Sequence, residues 1–183
     1  MNDIETSDTV MLIEAINFAA KAHKNQRRKG DGDSPYINHL IEVLSLLSSS
    51  AKVTDTNILI AAVLHDILED TDTSESELID KFGATVASYV SSVSDDKTMS
   101  LAERRDKQLK SILKASDPIK YIKLADHCSN IASIPPNWNK QRLKEYIQWS
   151  HSVAEKCFMV SKALADIYQQ RYLLALNEIE ENG

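Results

Sequence analysis

Seven consecutive apolar residues, Ile58 to Leu64, run without a polar interruption and end on the adjacent pair His65-Asp66. At helical spacing such a stretch is apolar nearly all round, so other elements have to wrap it. The fold must therefore surround a central helix, and 183 residues are enough for one domain with a full core. Two ionisable groups at the end of a buried helix are costly unless something compensates them. A divalent cation is an efficient compensator.

The rest of the chain supplies helices to do the wrapping. Apolar residues recur at helical spacing almost everywhere, and no sustained two-residue alternation supports a sheet, so an all-α fold is expected. A first helix runs from about Thr9 to His23, and the polar stretch 25–35 that follows is a loop. A second helix begins near Asn38. Thr54 or Asp55 caps a third, which is expected to continue through Leu64 towards Glu69. Thr73 caps a short helix that Gly83 ends, and another spans Ala84 to Val93. Further helices fit Leu101 to Lys114 and Ile119 to Ala132, the latter with Pro118 in its first turn and Pro135-Pro136 beyond its end. From Lys140 onward one or two long helices bury Leu143, Tyr146, Ile147, Val153, Phe158, Leu164, Ile167, Tyr168 and Leu173. Residues 1–183 are expected to form one domain.

Composition excludes several classes. With 27 acidic against 21 basic side chains the net charge is −6, which opposes broad binding to nucleic acid and makes any phosphate-binding surface local. No apolar run is long enough for a membrane span, and MNDIETSDTV has neither the basic start nor the apolar stretch of a signal peptide. Cys128 and Cys157 fit neither a CxxC motif nor a disulfide scaffold, so a cytoplasmic location is expected.

Two ligands do not fill a coordination sphere, and partners for His65 and Asp66 should be His or Asp in locally apolar helices. His39, at the start of the second helix, and Asp126, within YIKLAD, meet that description. Two imidazoles and two carboxylates with room for water suit Mn²⁺ or Fe²⁺. Cys128, two residues past Asp126, should face elsewhere, so structural zinc is not expected. Glu69 and Asp70 follow His65 and Asp66 by four residues, which returns both to the same side one turn later. An acidic helix end opposes the helix dipole, which again favours a nearby cation. They are placed to orient or deprotonate a water.

The ordered set FAAKAH, QRRK, PYINH, AVLHDILEDT and KLAD resembles the RelA/SpoT-type (p)ppGpp hydrolases, most closely their single-domain small alarmone hydrolases. The resemblance spans roughly residues 10–155 and implies an HD-domain helical bundle of about eight to ten helices. It implies that His39, His65, Asp66 and Asp126 hold one metal ion, usually Mn²⁺, and that Glu69 and Asp70 are the catalytic acidic pair. Arg28, Lys29, Tyr36 and Asn130 fall at nucleotide-binding positions. Lys97, Arg104 and the neighbouring Arg105 fall in a region that meets phosphates. The family more often reads KLADKxxNL, whereas this chain has KLADHCSNI followed by Ser133, and these departures border the nucleotide pocket.

The implied reaction removes the 3′-pyrophosphate of (p)ppGpp, or of a related purine alarmone such as (p)ppApp, through a metal-activated water. Another HD phosphatase or nucleotidase, acting for example on NADPH, is the rival enzyme, and a non-catalytic nucleotide-binding module the rival outside enzymes. Arg28 has a planar guanidinium that suits stacking on a base. His23 is expected as a helix-end residue, His127 and His151 as non-ligands, Trp138 and Trp149 as packing residues, and Asp95 and Asp96 as turn residues. The sequence carries no signal for an oligomeric state.

Overall fold

The computed structural model describes residues 7–30 and 32–181, which form nine α-helices joined by short turns. Helix α1 (Asp8–Ala22) starts at Ser7, whose side chain accepts from the Val10 amide, and ends on His23. The following segment folds back on itself: Arg28 N donates to Ser34 O and Tyr36 N to Gln26 O, with Gly32 and Asp33 at positive φ in the turn. Helix α2 (Ile37–Ser45) continues into a π-helical turn over Leu46–Ser50.

Helix α3 (Thr56–Val63) is capped by Asp55, and its residues Ile58 to Val63 are all buried, as the unbroken apolar run requires. It does not continue towards Glu69. The chain turns at Leu64 to Asp66 and restarts as the one-turn helix α4 (Ile67–Asp70). The His65 side chain occupies a carbonyl that a continued helix would use, since its Nδ1 donates to the Ala62 oxygen at 2.7 Å. Glu69 and Asp70 thus lie in the first turn of a new helix instead of at the end of a long one, and the expected clash with the α3 dipole does not arise.

Helix α5 (Glu75–Val93) is two helices joined at Gly83, whose φ of 86° marks the stop read from the sequence. Its cap is Ser74, which accepts from the Glu77 amide, instead of Thr73. Helix α6 (Leu101–Ile112) begins with a capping box between Ser100 and Glu103. Helix α7 (Asp117–Ile131), with Pro118 in its first turn, is the hub and packs against α2, α3 and α5. Two long helices close the bundle: α8 (Lys140–Ala154) and α9 (Lys162–Glu181), separated by a 3₁₀ stretch over Glu155–Val160. Both also pack on α7. On α9 the buried face is Leu164, Tyr168, Ala175 and Ile179, which leaves Leu173 59% exposed, contrary to expectation. No helix among the described residues is long and apolar enough to cross a membrane.

Candidate active site

Three separate parts of the bundle deliver the four expected ligands to one buried point. His39 comes from the first turn of α2, His65 and Asp66 from the turn between α3 and α4, and Asp126 from α7. The ligand atoms of His39, His65 and Asp126 all lie within 4.8 Å of one another. Asp66 Oδ2 is 3.0 Å from His65 Nε2 and 3.7 Å from His39 Nε2, and Asp126 Oδ1 is 3.4 Å and 3.3 Å from the same two nitrogens.

The hydrogen bonds behind the rings decide which nitrogens face inward. His65 Nδ1 donates to a carbonyl oxygen, which leaves Nε2 to carry the lone pair. His39 Nδ1 lies 2.8 Å from Ser129 Oγ, and that hydroxyl donates in turn to Glu42 Oε2 at 2.7 Å, so it accepts from His39. Arg171 on α9 holds the other Glu42 oxygen at 2.8 Å. Both Nε2 atoms are buried without a hydrogen-bond partner. Lone pairs aimed at carboxylate oxygens repel unless a positive charge stands between them. Donor atoms on adjacent corners around an ion with bonds of ~2.1 Å sit about 3 Å apart, so the spacing suits a divalent cation.

The electrostatics agree. Burial opposes a charge on His65, but Asp66 and Asp126 outweigh it and push its pKa well above the ordinary value. Burial also opposes the charges of Asp66 and Asp126, yet the facing imidazoles hold both carboxyls well below the usual range. The cluster demands a cation in its middle, which a proton supplies poorly and a divalent ion supplies well.

Tyr36 donates to Asp66 Oδ2 at 2.6 Å, and burial, with the Asp66 charge next, pushes its pKa far up, so the phenol stays protonated. Asn130 donates to Asp126 Oδ1 at 2.6 Å and accepts from Arg28 at 2.7 Å, which ties the basic loop to an expected ligand. Gly30 permits that loop to lie close: a Cβ there would come within 1.8 Å of the Ser133 carbonyl oxygen at the end of α7.

Beside the cluster lies a cavity of about 440 Å³. Arg28, Lys29, Tyr36, Asp66, Glu69 and Asp70 are among the residues that line it. Burial, with the Asp66 charge next, raises the Glu69 pKa, while the Asp95 N–H donating to its Oε2 at 3.2 Å works the other way. Lys97 is paired with Asp70, and Arg104 stands 3.7 Å from both Glu69 and Asp95. Two expected phosphate-binding cations thus rest on the acidic pair and its neighbour.

Sequence reasoning missed part of this lining. Trp138 and Trp149, expected to pack, line the cavity together with Tyr146 and His127. Trp138 meets Tyr146 edge to face at 5.2 Å, and Arg142 lies over Trp138 at 4.2 Å. Of these only Trp138 stands near Pro135-Pro136 in the sequence, and nothing in the residue types tied Tyr146 or Trp149 to a site. His127 is no ligand: its Nδ1 meets Ser150 Oγ at 2.9 Å, and burial brings its pKa down to about 4. His151 stacks on Tyr172 at 4.3 Å. Cys128 points to the Leu164 carbonyl, as expected, and burial pushes its thiol up to about 12. Asp96 accepts from Thr98 in a turn, whereas Asp95 is held by Gln108 and does more than turn the chain.

An adjacent His-Asp pair joined by one histidine and one aspartate from two further helices defines an HD-type metal site, and the HD domain family matches residues 15–165. A guanosine-3′,5′-bis(diphosphate) 3′-pyrophosphohydrolase MESH1 from Danio rerio is 41% identical over 171 residues, covering 91% of this chain and 95% of that protein. Its counterpart from Homo sapiens is 38% identical over 175 residues, covering 91% and 98%. A solved structure described as a metazoan ortholog of SpoT that hydrolyzes ppGpp superposes with a TM-score of 0.86 at 34% identity, over 92% of this chain and 97% of that one. The chain belongs to the HD domain family and, within it, to the family of the MESH1 3′-pyrophosphohydrolases.

Proposed function

We propose that residues 1–183 form one cytoplasmic phosphohydrolase domain that removes the 3′-pyrophosphate of (p)ppGpp or a related purine alarmone such as (p)ppApp. The products are pyrophosphate and GDP or GTP, or their adenosine equivalents. One observation carries this reading: the paired, unpartnered Nε2 atoms of His39 and His65 face two carboxylates at the edge of a cavity that Arg28 and Lys29 also line. The names of the relatives support it.

His39, His65, Asp66 and Asp126 would hold the ion, for which Mn²⁺ is the first candidate and Fe²⁺ the second. Such an ion supplies a lowered water pKa and a positive charge near the attacked phosphorus. Glu69 and Asp70 hold the attacking water and accept its proton as the new oxygen–phosphorus bond forms, and that proton passes to the ribose 3′ oxygen as its bond to phosphorus breaks. The raised pKa of Glu69 suits that task. Arg28 and Lys29 neutralise phosphate charge, and Tyr36 stays protonated to keep Asp66 in place. Lys97 and Arg104 lie close enough to exchange their present carboxylate partners for phosphate oxygens.

A second reading has its own observation. A cavity of about 280 Å³ lined by Arg104, Arg105, Arg142, Trp138, Tyr146 and Trp149 adjoins the first, giving room and cations for the remaining half of a dinucleotide such as NADPH. Purified protein with Mn²⁺ should be offered ppGpp, ppApp, NADPH and deoxynucleotides. Pyrophosphate from the 3′-pyrophosphorylated substrates supports the first reading. Its absence, with phosphate released from NADPH, supports the second.

A further inference from the structure

Asp70 ends α4 with both carboxylate oxygens engaged, and its two partners differ in kind. Lys97 holds Oδ1 from a side chain that is 51% exposed, on a flexible stem that can leave. Gln26 holds Oδ2 through Nε2 at 2.7 Å, from a half-buried side chain whose oxygen is engaged as well. The Gln26 backbone is fixed at both ends, since its N–H donates to His23 O at 2.9 Å and its carbonyl accepts from Tyr36 N at 3.1 Å. Its side-chain oxygen lies 2.7 Å from His23 Nδ1. His23 is itself 3% exposed and stacked on Tyr36, with ring centroids 5.3 Å apart.

A glutamine amide has two orientations, and here only one works. With Oε1 towards His23 and Nε2 towards Asp70, both contacts are donor to acceptor. Turning the amide would set its oxygen against a carboxylate oxygen at 2.7 Å. The Asp70 carboxylate therefore fixes the orientation of Gln26, and the Gln26 oxygen in turn fixes the His23 tautomer with its proton on Nδ1. The groups facing Asp70 are Gln26 and Tyr36 from the loop before α2, Lys97 from the loop after α5, and Glu69 and Asp66 from its own turn.

We propose that Gln26 is a positioning residue for the hydrolysis. It clamps Oδ2 of Asp70 so that Oδ1 is the oxygen that Asp70 presents to the attacking water, and His23 anchors the clamp. The inference rests on the role given above to Asp70. A carboxylate held at one oxygen presents the other at a fixed angle, and misplacing a reacting group by ~1 Å can cost about 100-fold in rate.

The test is the Gln26→Glu variant, which keeps the shape and replaces the donor with a second carboxylate. With ppGpp and Mn²⁺ at pH 8, kcat should fall roughly 10- to 100-fold, with KM within about 3-fold of wild type and the same manganese content per chain. As the pH is lowered towards about 6, a proton shared by the two carboxyls restores a donor. The ratio of variant to wild-type kcat should then rise about 10-fold. Gln26→Ala, which has no donor at any pH, should show the loss without that recovery. His23→Ala, which removes the anchor of the amide oxygen, should lose roughly 3- to 10-fold. Wild-type kcat in Gln26→Glu at pH 8, a pH-independent ratio, or losses that follow lost manganese would overturn the inference. Asp70→Asn, assayed alongside, separates the two layers: full turnover in that variant refutes the role of Asp70 itself. Lost turnover there with Gln26→Glu unaffected refutes the clamp alone.

Discussion

His39 and His65 each spend one ring nitrogen on the protein and leave the other bare, and the metal centre follows from that division of labour. Asp66→Ala removes one carboxylate of the set and should abolish ion binding and turnover together, as metal analysis and pyrophosphate release on the same sample would show. Glu69→Gln should keep the ion and lose turnover by about 10²- to 10⁴-fold, the usual share of general acid–base catalysis. Equal metal loss in the two variants would contradict the assigned roles. Ser129 acts one step back: Ser129→Ala leaves the His39 ring without its acceptor and should weaken ion affinity roughly 10- to 100-fold, measured by competition with a chelating dye. The four proposed ligands were legible as residues because His and Asp in apolar helices demand an explanation. The chain from Arg171 through Glu42 and Ser129 was not, because it joins residues 42, 129 and 171 across α2, α7 and α9 through polar side chains ordinary in sequence.

Among the elements, α3, α7 and the segment before α2 decide where chemistry can happen. Apolar periodicity and caps located most helices, and Gly83 was read correctly as a stop because only a residue tolerant of φ near 86° fits there. The break between α3 and α4 left no such mark. Neither glycine nor proline stands at Leu64 to Asp66, and the turn depends on a side-chain-to-backbone bond that the residue types do not announce. The same limit hid the aromatic wall, since Trp138, Tyr146 and Trp149 line the cavity beside Asp126 only once α8 packs on α7. The loop after α1 is seated by Gly30 against Ser133, so Gly30→Ala has to push backbone from backbone. That variant should raise KM roughly 10-fold, because Arg28 and Lys29 ride on this loop, with bound metal unchanged. Unaltered KM would mean that the loop does not carry substrate contacts.

At the scale of the whole molecule, the site and the stability are coupled through buried polar groups. His127 is neutral in the fold, with its pKa taken from the ordinary 6.5 down to about 4 by burial, helped by Lys123 and opposed by Asp126. Above about pH 6.5 neither folded nor unfolded chain carries that proton, and nothing is lost. Between pH 6.5 and 4 the unfolded chain binds it and the folded chain does not, so stability falls by at most about 1.4 kcal/mol per pH unit. Denaturant titrations should therefore give wild type a steeper loss across this window than His127→Gln, and identical slopes would refute the buried neutral ring. Ion binding to the folded state alone should add about 2.7 kcal/mol at a hundredfold excess over Kd. The most direct test of the central claim is to strip the protein with a chelator, titrate Mn²⁺ back, and measure bound ion and pyrophosphate released from ppGpp in the same samples. Release should rise in proportion to occupancy and saturate at one ion per chain, and full turnover by the metal-free protein would contradict it.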